Sequence, residues 1–219
     1  MTVIQTAVEL IEIQGDSLTA AKKSTYLKRI KGAVESMKQL MEDVLFMGKS
    51  DVGKVECHPH IMNLEQLCRD VIAEFSLVTN GGHEIIFTCH SKCTDALIDE
   101  KLLNYILINL LSNAVKYSPQ NKNIHVDLTC DYREQMVILR VKDQGIGIPE
   151  VDQKRLFESF YRASNVQSIQ GTGLGLVIVK RCVEAHQGEI SFTSQVGVGT
   201  TFTVILPLNY SVAHHPQQA

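Results

Sequence analysis

Between Leu27 and Val44 apolar side chains recur in alternating steps of three and four: Leu27, Ile30, Val34, Met37, Met41 and Val44. A seven-residue period of this kind is a helix with one face made for another helix. Leu40, Leu45 and Met47 widen the stripe beyond what a single partner helix covers. A shorter pattern at Val3, Ala7, Leu10 and Ile11 precedes it, interrupted by Gly15-Asp16-Ser17. Residues 1–50 are therefore expected to form a helical hairpin, and a four-helix dimer is the natural way to bury so wide an apolar face. The other arrangement is a hairpin packed on its own domain. Gly48 to Gly53 reads as the helix stop, with a linker over residues 51–60.

Past this point the period changes. Leu64–Phe75 reads as a helix after a short Cys57–Met62 segment, and Glu84–Cys89 and Thr94–Ile98 as strands, the first introduced by Asn80-Gly81-Gly82. Asp99 is placed to cap a long apolar helix that Ser118-Pro119 ends after Tyr117. Strands Ile124–Cys130 and Gln135–Lys142 follow, joined by a polar turn at Asp131–Glu134. A helix is expected near Glu150–Glu158, then a polar loop, a helix at Leu174–Ala185, and a closing hairpin of Glu189–Thr193 with Thr201–Leu206. Asn209–Ala219 reads as a frayed tail.

Composition excludes several classes. The 21 Lys and Arg against 24 Asp and Glu give a net charge of −3, and Trp is absent, so neither a nucleic-acid nor an anionic membrane surface is expected. The apolar runs are too short and interrupted to span a bilayer, and no signal-peptide pattern follows Met1. Six cysteines in 219 residues read as reduced cytosolic thiols rather than a disulfide framework. Cys57-His58-Pro59-His60 and Cys89-His90-Ser91-Lys92-Cys93 have metal-ligand chemistry, but neither has a second paired half at zinc-finger spacing, so cysteines in strands beside solvated histidines are preferred.

Four segments carry the chemistry. The helix 99–117 is strongly apolar yet holds Asn109 and Asn113, four apart on one face, with Lys116 a turn further on. Asparagine is a poor helix former, whereas its amide oxygen ligates Mg²⁺ and its NH₂ bonds phosphate; an exposed polar stripe is the plainer reading of these two alone. Asp143-Gln144-Gly145-Ile146-Gly147-Ile148-Pro149 follows a strand: two glycines allow a tight turn and close ligand approach, and a lone carboxylate can accept from an adenine amino group. Gly171-Thr172-Gly173-Leu174-Gly175 opens a helix, offering backbone N–H groups and a helix dipole to phosphate. It matches neither the Rossmann nor the Walker pattern. Gly197-Val198-Gly199-Thr200-Thr201-Phe202 enters the last strand, where a hydroxyl could reach a base.

Taken in order, "NLLSNAVKYSP", "DQGIGIP", "LFESFYRA", "GTGLGL" and "GVGTTFTVILP" resemble the N, G1, F and G2 boxes and final strand of sensor histidine kinases, over roughly residues 60–208. The resemblance implies an α+β fold: a two-layer α/β sandwich of the Bergerat type shared with gyrase, Hsp90 and MutL ATPases, with a mixed sheet, three main helices and ATP between the layers. It makes residues 61–208 the ATP-binding catalytic domain and the preceding hairpin part of a dimerisation and histidine-phosphotransfer domain. By motif position it implies Asn109 as Mg²⁺ ligand; Asn113, Lys116 and Tyr117 on the phosphate and ribose side; and Asp143 as adenine reader, with Gly145 and Gly147 shaping its turn. Phe157 and Phe160 would anchor a lid in which Arg162 meets the terminal phosphate. Gly171, Thr172, Gly173, Leu174 and Gly175 would wrap the phosphates, and Thr201 would stand near the base. The partners implied are ATP or ADP, a response-regulator receiver domain and a second copy of the chain, in the cytoplasm, whether the parent is soluble or anchored in a membrane.

Two departures shape the expectation. Where ATPase relatives carry a water-activating glutamate, one turn before the Mg²⁺ asparagine, this chain has Tyr105. A tyrosine is a poor general base near neutral pH, so phosphoryl transfer to a protein acceptor fits better than hydrolysis. Kinases of the family also carry a histidine in a motif like S-H-E-x-R-T-P-L, and none of the eight histidines stands in that context. The chain reads as a fragment without its phosphoacceptor, unable to phosphorylate itself in cis. Its rivals are a gyrase-like or Hsp90-like ATPase, a nucleotide-binding interaction module without catalysis, and a chain that meets a regulator through the hairpin alone.

Overall fold

The computed structural model describes residues 2–14, 19–52, 55–78, 82–166, 169 and 171–208. The chain divides into two compact units, Met1–Val52 and Gly53–Ala219.

The first unit is helical, with α1 (Thr2–Gln14) packed on α2 (Ala20–Val52). The expected stop at Gly48 is overturned: α2 runs through it to Val52. Gly48 has open space around its Cα, and an isolated glycine in an exposed helix costs only about 1 kcal/mol relative to alanine, which a 33-residue helix absorbs. Leu27, Val34, Met37, Leu40, Met41, Val44 and Leu45 are all exposed. The Gly15-Asp16-Ser17 break lies outside the described residues, as do Asn80-Gly81 and the tail 209–219.

In the second unit β1 (His60–Met62) pairs antiparallel with β3 (Ala96–Ile98) as a small separate ladder. The main sheet comprises β2 (Ile85–Cys89), β4 (Ile124–Asp131), β5 (Met136–Lys142), β7 (Gly199–Pro207) and β6 (Glu189–Gln195), in the order β2-β4-β5-β7-β6. β2 and β4 run parallel and the other neighbours antiparallel, so the sheet is mixed. Strict alternation along β4 and β7 puts Ile124, Val126, Leu128 and Phe202, Val204, Leu206 in the core, the period-2 signature of a sheet covered on one face. The covering layer is α3 (Leu64–Val78), α4 (Glu100–Tyr117) and α6 (Gly175–Ala185). This is the expected two-layer sandwich with three main helices.

α4 is central. Its N-cap Asp99 accepts from Leu102 N at 3.1 Å, and Pro119 holds Ser118 in extended geometry (φ −91, ψ 143), which ends the helix. Leu103, Ile106, Leu107, Leu110 and Leu111 are buried along it; truncating Leu107 to alanine should cost about 2–5 kcal/mol. His186, at the end of α6, is also buried. Its Nε2 accepts from Asp99 N (3.1 Å) and its Nδ1 donates to Cys182 O (2.8 Å), a purely structural pin.

Two further expectations are corrected. The helix near Glu150–Glu158 is a single turn, α5 (Glu150–Gln153), because the chain doubles back to bring Tyr161 and Ser164 onto Asp152. Not all six cysteines are free thiols. Cys93 and Cys130 are joined with Cα atoms 5.6 Å apart, whereas Cys57, Cys68, Cys89 and Cys182 are free. Sequence separation hid the pair; the sheet register brings the end of β4 beside the loop before β3. Among the described residues no helix is long and apolar enough to cross a membrane.

Candidate nucleotide site

Two segments meet the C-terminal half of α4: the glycine-rich run that opens α6 and the turn after β5. Asn109 donates through Nδ2 to Tyr105 O at 2.8 Å, which leaves its Oδ1 turned toward Gly175. A Cβ on Gly175 would stand 2.6 Å from that oxygen, so a glycine is needed there for α6 to start so close to the amide. Asn113 is half-buried and makes no side-chain hydrogen bond to a described residue. Lys116 lies with its Nζ against Gly171 and 4.9 Å from the centroid of the Tyr117 ring. Asn109, Lys116 and Tyr117 thus stand with Gly171 and Gly175 at one end of the helical layer.

The turn after β5 forms the second wall. Asp143 is 8% exposed. Its Oδ1 accepts from Gly145 N (2.8 Å) and Thr200 N (3.1 Å), and its own N–H donates to Thr200 O (2.9 Å). No described residue donates to its Oδ2. Burial pushes the carboxyl above the usual carboxylate range, against the pull of the two N–H bonds. Gly145 is obligatory: a Cβ there would stand 2.5 Å from Tyr117 O and 2.8 Å from Asp143 Oδ1. Ile146 N donates to Tyr117 O at 3.1 Å, docking the turn on the end of α4. Gly147 has φ +66 and its Cα abuts the backbone of Gln195.

Thr201 does not belong to this group. It lies on the half-exposed face of β7, in register with Lys142 and Thr193. Its neighbour Thr200 is buried beside Asp143, its Oγ1 2.9 Å from Ser194 Oγ. A one-residue step in a strand exchanges faces, and two adjacent threonines conceal which one turns inward. The signal was in the parity: Thr200 shares its alternation with Phe202, Val204 and Leu206.

Phe160–Gly171 is the candidate lid, of which residues 167, 168 and 170 lie outside the described residues. Phe157 anchors its approach, its ring 6.0 Å from Phe192, which stands 5.8 Å from Phe202. Phe160 does not anchor through its side chain, which is 66% exposed. Its backbone, at φ +62, instead closes the neck by donating to Gly173 O at 3.0 Å. Arg162 is used within its own loop, donating through Nη2 to Val166 O (2.6 Å) and to Ile169 O, while its Nε is buried without a partner among the described residues. It is not among the groups gathered around Asn109. Thr172 Oγ1 accepts from Leu174 N at 3.2 Å, and Leu174 is buried as the N-cap of α6.

One cluster was not visible in the sequence. Asp152, 6% exposed, accepts from Tyr161 Oη at 2.6 Å through Oδ1, and from Ser164 N (2.9 Å) and Oγ (2.8 Å) through Oδ2. The Tyr161 hydroxyl and the Ser164 donors hold it below the usual carboxylate range. The Arg155 guanidinium lies 4.2 Å from the centre of the Tyr161 ring. Asn165 Nδ2 donates to Gly147 O at 2.9 Å, joining the lid to the Asp143 turn.

A buried carboxylate in a turn docked on the end of α4, together with two amides and a lysine on that helix and the glycine-rich start of α6 against them, is a set of groups with the chemistry to hold a nucleotide. Residues 98–210, about half of the chain, match the family of histidine kinase-, DNA gyrase B- and HSP90-like ATPases, and the chain belongs to that family. Among curated proteins it is 32% identical over 184 residues to the sensor histidine kinase WalK of Bacillus subtilis, covering 83% of this chain and 30% of WalK. The chain therefore spans less than a third of that relative. Full-length ShkA in complex with AMPPNP shares the fold at 24% identity and a TM-score of 0.72, covering 97% of this chain and 46% of ShkA. So does the histidine kinase ThkA in complex with the response regulator TrrA, at 20% identity and a TM-score of 0.71, covering 94% of this chain and 58% of ThkA.

Proposed function

We propose that this chain is the ATP-binding catalytic portion of a sensor histidine kinase. The observation that carries the reading is Asp143. Its Oδ1 is committed to two backbone N–H groups and no described residue donates to its Oδ2, the arrangement that suits an adenine amino group and rejects a guanine oxygen. Asn109 offers its Oδ1 and Asn113 both ends of its amide on the phosphate side. Lys116 supplies a positive charge, and the start of α6 supplies N–H groups and dipole.

Mg²⁺ suits the amide oxygen of Asn109, a hard donor held open by the missing Cβ of Gly175. The ion would neutralise phosphate charge during transfer. The protein's share is positioning: Asp143 and Thr200 on the base, Tyr117 and Lys116 along the ribose and phosphates. Arg162, whose Nε has no partner among the described residues, would leave its loop carbonyls for the terminal phosphate when the lid closes. Tyr105 in place of a water-activating carboxylate favours transfer to a protein over hydrolysis. The acceptor is a histidine outside the eight present, and the phosphate passes on to a response-regulator aspartate. ThkA, seen with its regulator, is a precedent for that partner. The exposed stripe on α2 suits a second copy of the chain, which light scattering would register as a dimer.

The test of transfer uses γ-labelled ATP, Mg²⁺, and an N-terminally extended version that adds an acceptor-histidine helix but carries Asp143→Asn. Acid-labile label on the extended chain supports the kinase reading. Sustained phosphate release with no labelled protein supports the ATPase reading instead.

A further inference from the structure

The lid and the base-reading turn are joined by groups that bind no part of a nucleotide themselves. Asp152 sits where α5 ends and gathers three donors from the limb beyond it: the Tyr161 hydroxyl, the Ser164 N–H and the Ser164 hydroxyl. One residue further on, Asn165 reaches Gly147 O at 2.9 Å, four residues past Asp143. On the other side of the neck Phe160 N holds Gly173 O at 3.0 Å, within the glycine-rich run that lies against Lys116 and Asn109. Both limbs are therefore fixed at their roots, the first to Asp152 and Gly147, the second to Phe160.

A carboxylate with a donor on each oxygen, three in all, is a firm joint, because hydrogen bonds to an ionised acceptor are among the stronger ones. It also explains why the helix beginning at Glu150 stops after one turn: the continuing chain must return over Asp152. Asp152 touches none of the groups that face the nucleotide, so its influence on binding runs through the lid.

We propose that Asp152 is a positioning residue for the nucleotide, holding Tyr161 and Ser164 so that Phe160, next to Tyr161, keeps its N–H on Gly173 O and Gly171–Gly175 face the phosphates. This rests on the nucleotide reading above and assigns it a residue outside the motifs. The inference separates the two ends of the ligand. The base is read by Asp143, which is fixed by Gly145 and Thr200 independently of Asp152. The phosphates depend on the lid.

The test is the affinity of the full chain for Mg²⁺-ATP and for adenosine, in wild type, Asp152→Ala, Asp152→Asn and Tyr161→Phe. Asp152→Ala should weaken ATP about tenfold, the cost of losing a positioning hydrogen bond or two, with adenosine unchanged. Tyr161→Phe removes one donor without disturbing the core and should weaken ATP about threefold in the same pattern. Asp152→Asn should recover most of the affinity: its carbonyl oxygen still accepts from Ser164, and its NH₂ can donate to the Tyr161 oxygen. ATP and adenosine falling in parallel in the alanine and phenylalanine variants would make the role merely structural and overturn the proposal, as would unchanged ATP affinity in both. If Asp152→Ala does not fold, Tyr161→Phe decides by the same ratio. Wild-type protein that binds adenosine and ATP equally would remove the lid's role. Wild type that binds neither would overturn the nucleotide reading itself, and with it this inference.

Discussion

Asp143 and Asp152 are nine positions apart on either side of a proline turn, both are buried, and the protein treats them in opposite ways. Asp143 has two backbone donors on one oxygen and, among the described residues, none on the other, and burial raises its pKa. Asp152 has donors on both oxygens and its pKa is lowered. A carboxylate fully matched by its own chain builds structure, whereas one left half-matched in a cleft is poised for a ligand. The contrast places recognition at the turn and rigidity at the lid root.

The largest effect is expected from Asp143→Asn. The amide oxygen keeps the two N–H bonds, but its NH₂ now opposes the adenine amino group, so ATP affinity should fall about 100-fold by calorimetry. The melting temperature should not fall, since the change relieves a buried charge; a large loss of stability would mean that Asp143 is structural, like Asp152. The next change leaves both carboxylates alone. Cys130→Ser opens a link across 37 positions that encloses α4, and should lower stability by about 2–4 kcal/mol in a denaturant titration while ATP affinity stays within twofold. Gly175→Ala is smaller: its Cβ would press on Asn109 Oδ1, weakening Mg²⁺-ATP about tenfold with adenosine unaffected.

Acid should separate the two carboxylates with opposite signs. Asp143, with its native pKa raised, costs stability when ionised, and that cost fades as pH falls through the raised value toward the ordinary carboxylate range. The melting-temperature gap between wild type and Asp143→Asn should therefore narrow on acidification. ATP affinity should fall over the same window, because a protonated Oδ2 no longer accepts. Asp152, with its pKa lowered, adds stability above the ordinary carboxylate range that is lost only as pH falls through the lowered value. His186 is buried neutral, its pKa lowered by desolvation; it adds a loss of stability as pH drops below about 6.5, where the unfolded imidazole takes up a proton.

What was legible in the sequence follows the range of each interaction. Apolar period and capping are local, so α4 was readable from Asp99 to Tyr117, and the strands to within a residue or two. Asn109, Lys116, Asp143 and the glycine run stood out because they are residue types that their local structure does not favour. Thr200 was missed because facing is a matter of register, and Phe160 because its role is carried by the backbone. The end of α2 was misplaced because a 33-residue helix absorbs the small cost of one exposed glycine. Asp152 and the Cys93–Cys130 link are made by tertiary contacts between ordinary-looking residues, and nothing local marks them.

The central claim is that Asp143 reads an adenine, and the most direct measurement is a calorimetric titration of the wild-type chain with ATP and with GTP in Mg²⁺. The account predicts binding of ATP and at least about 100-fold weaker binding of GTP, because guanine presents an oxygen where the carboxylate needs a donor. Equal affinity for the two nucleotides would contradict it.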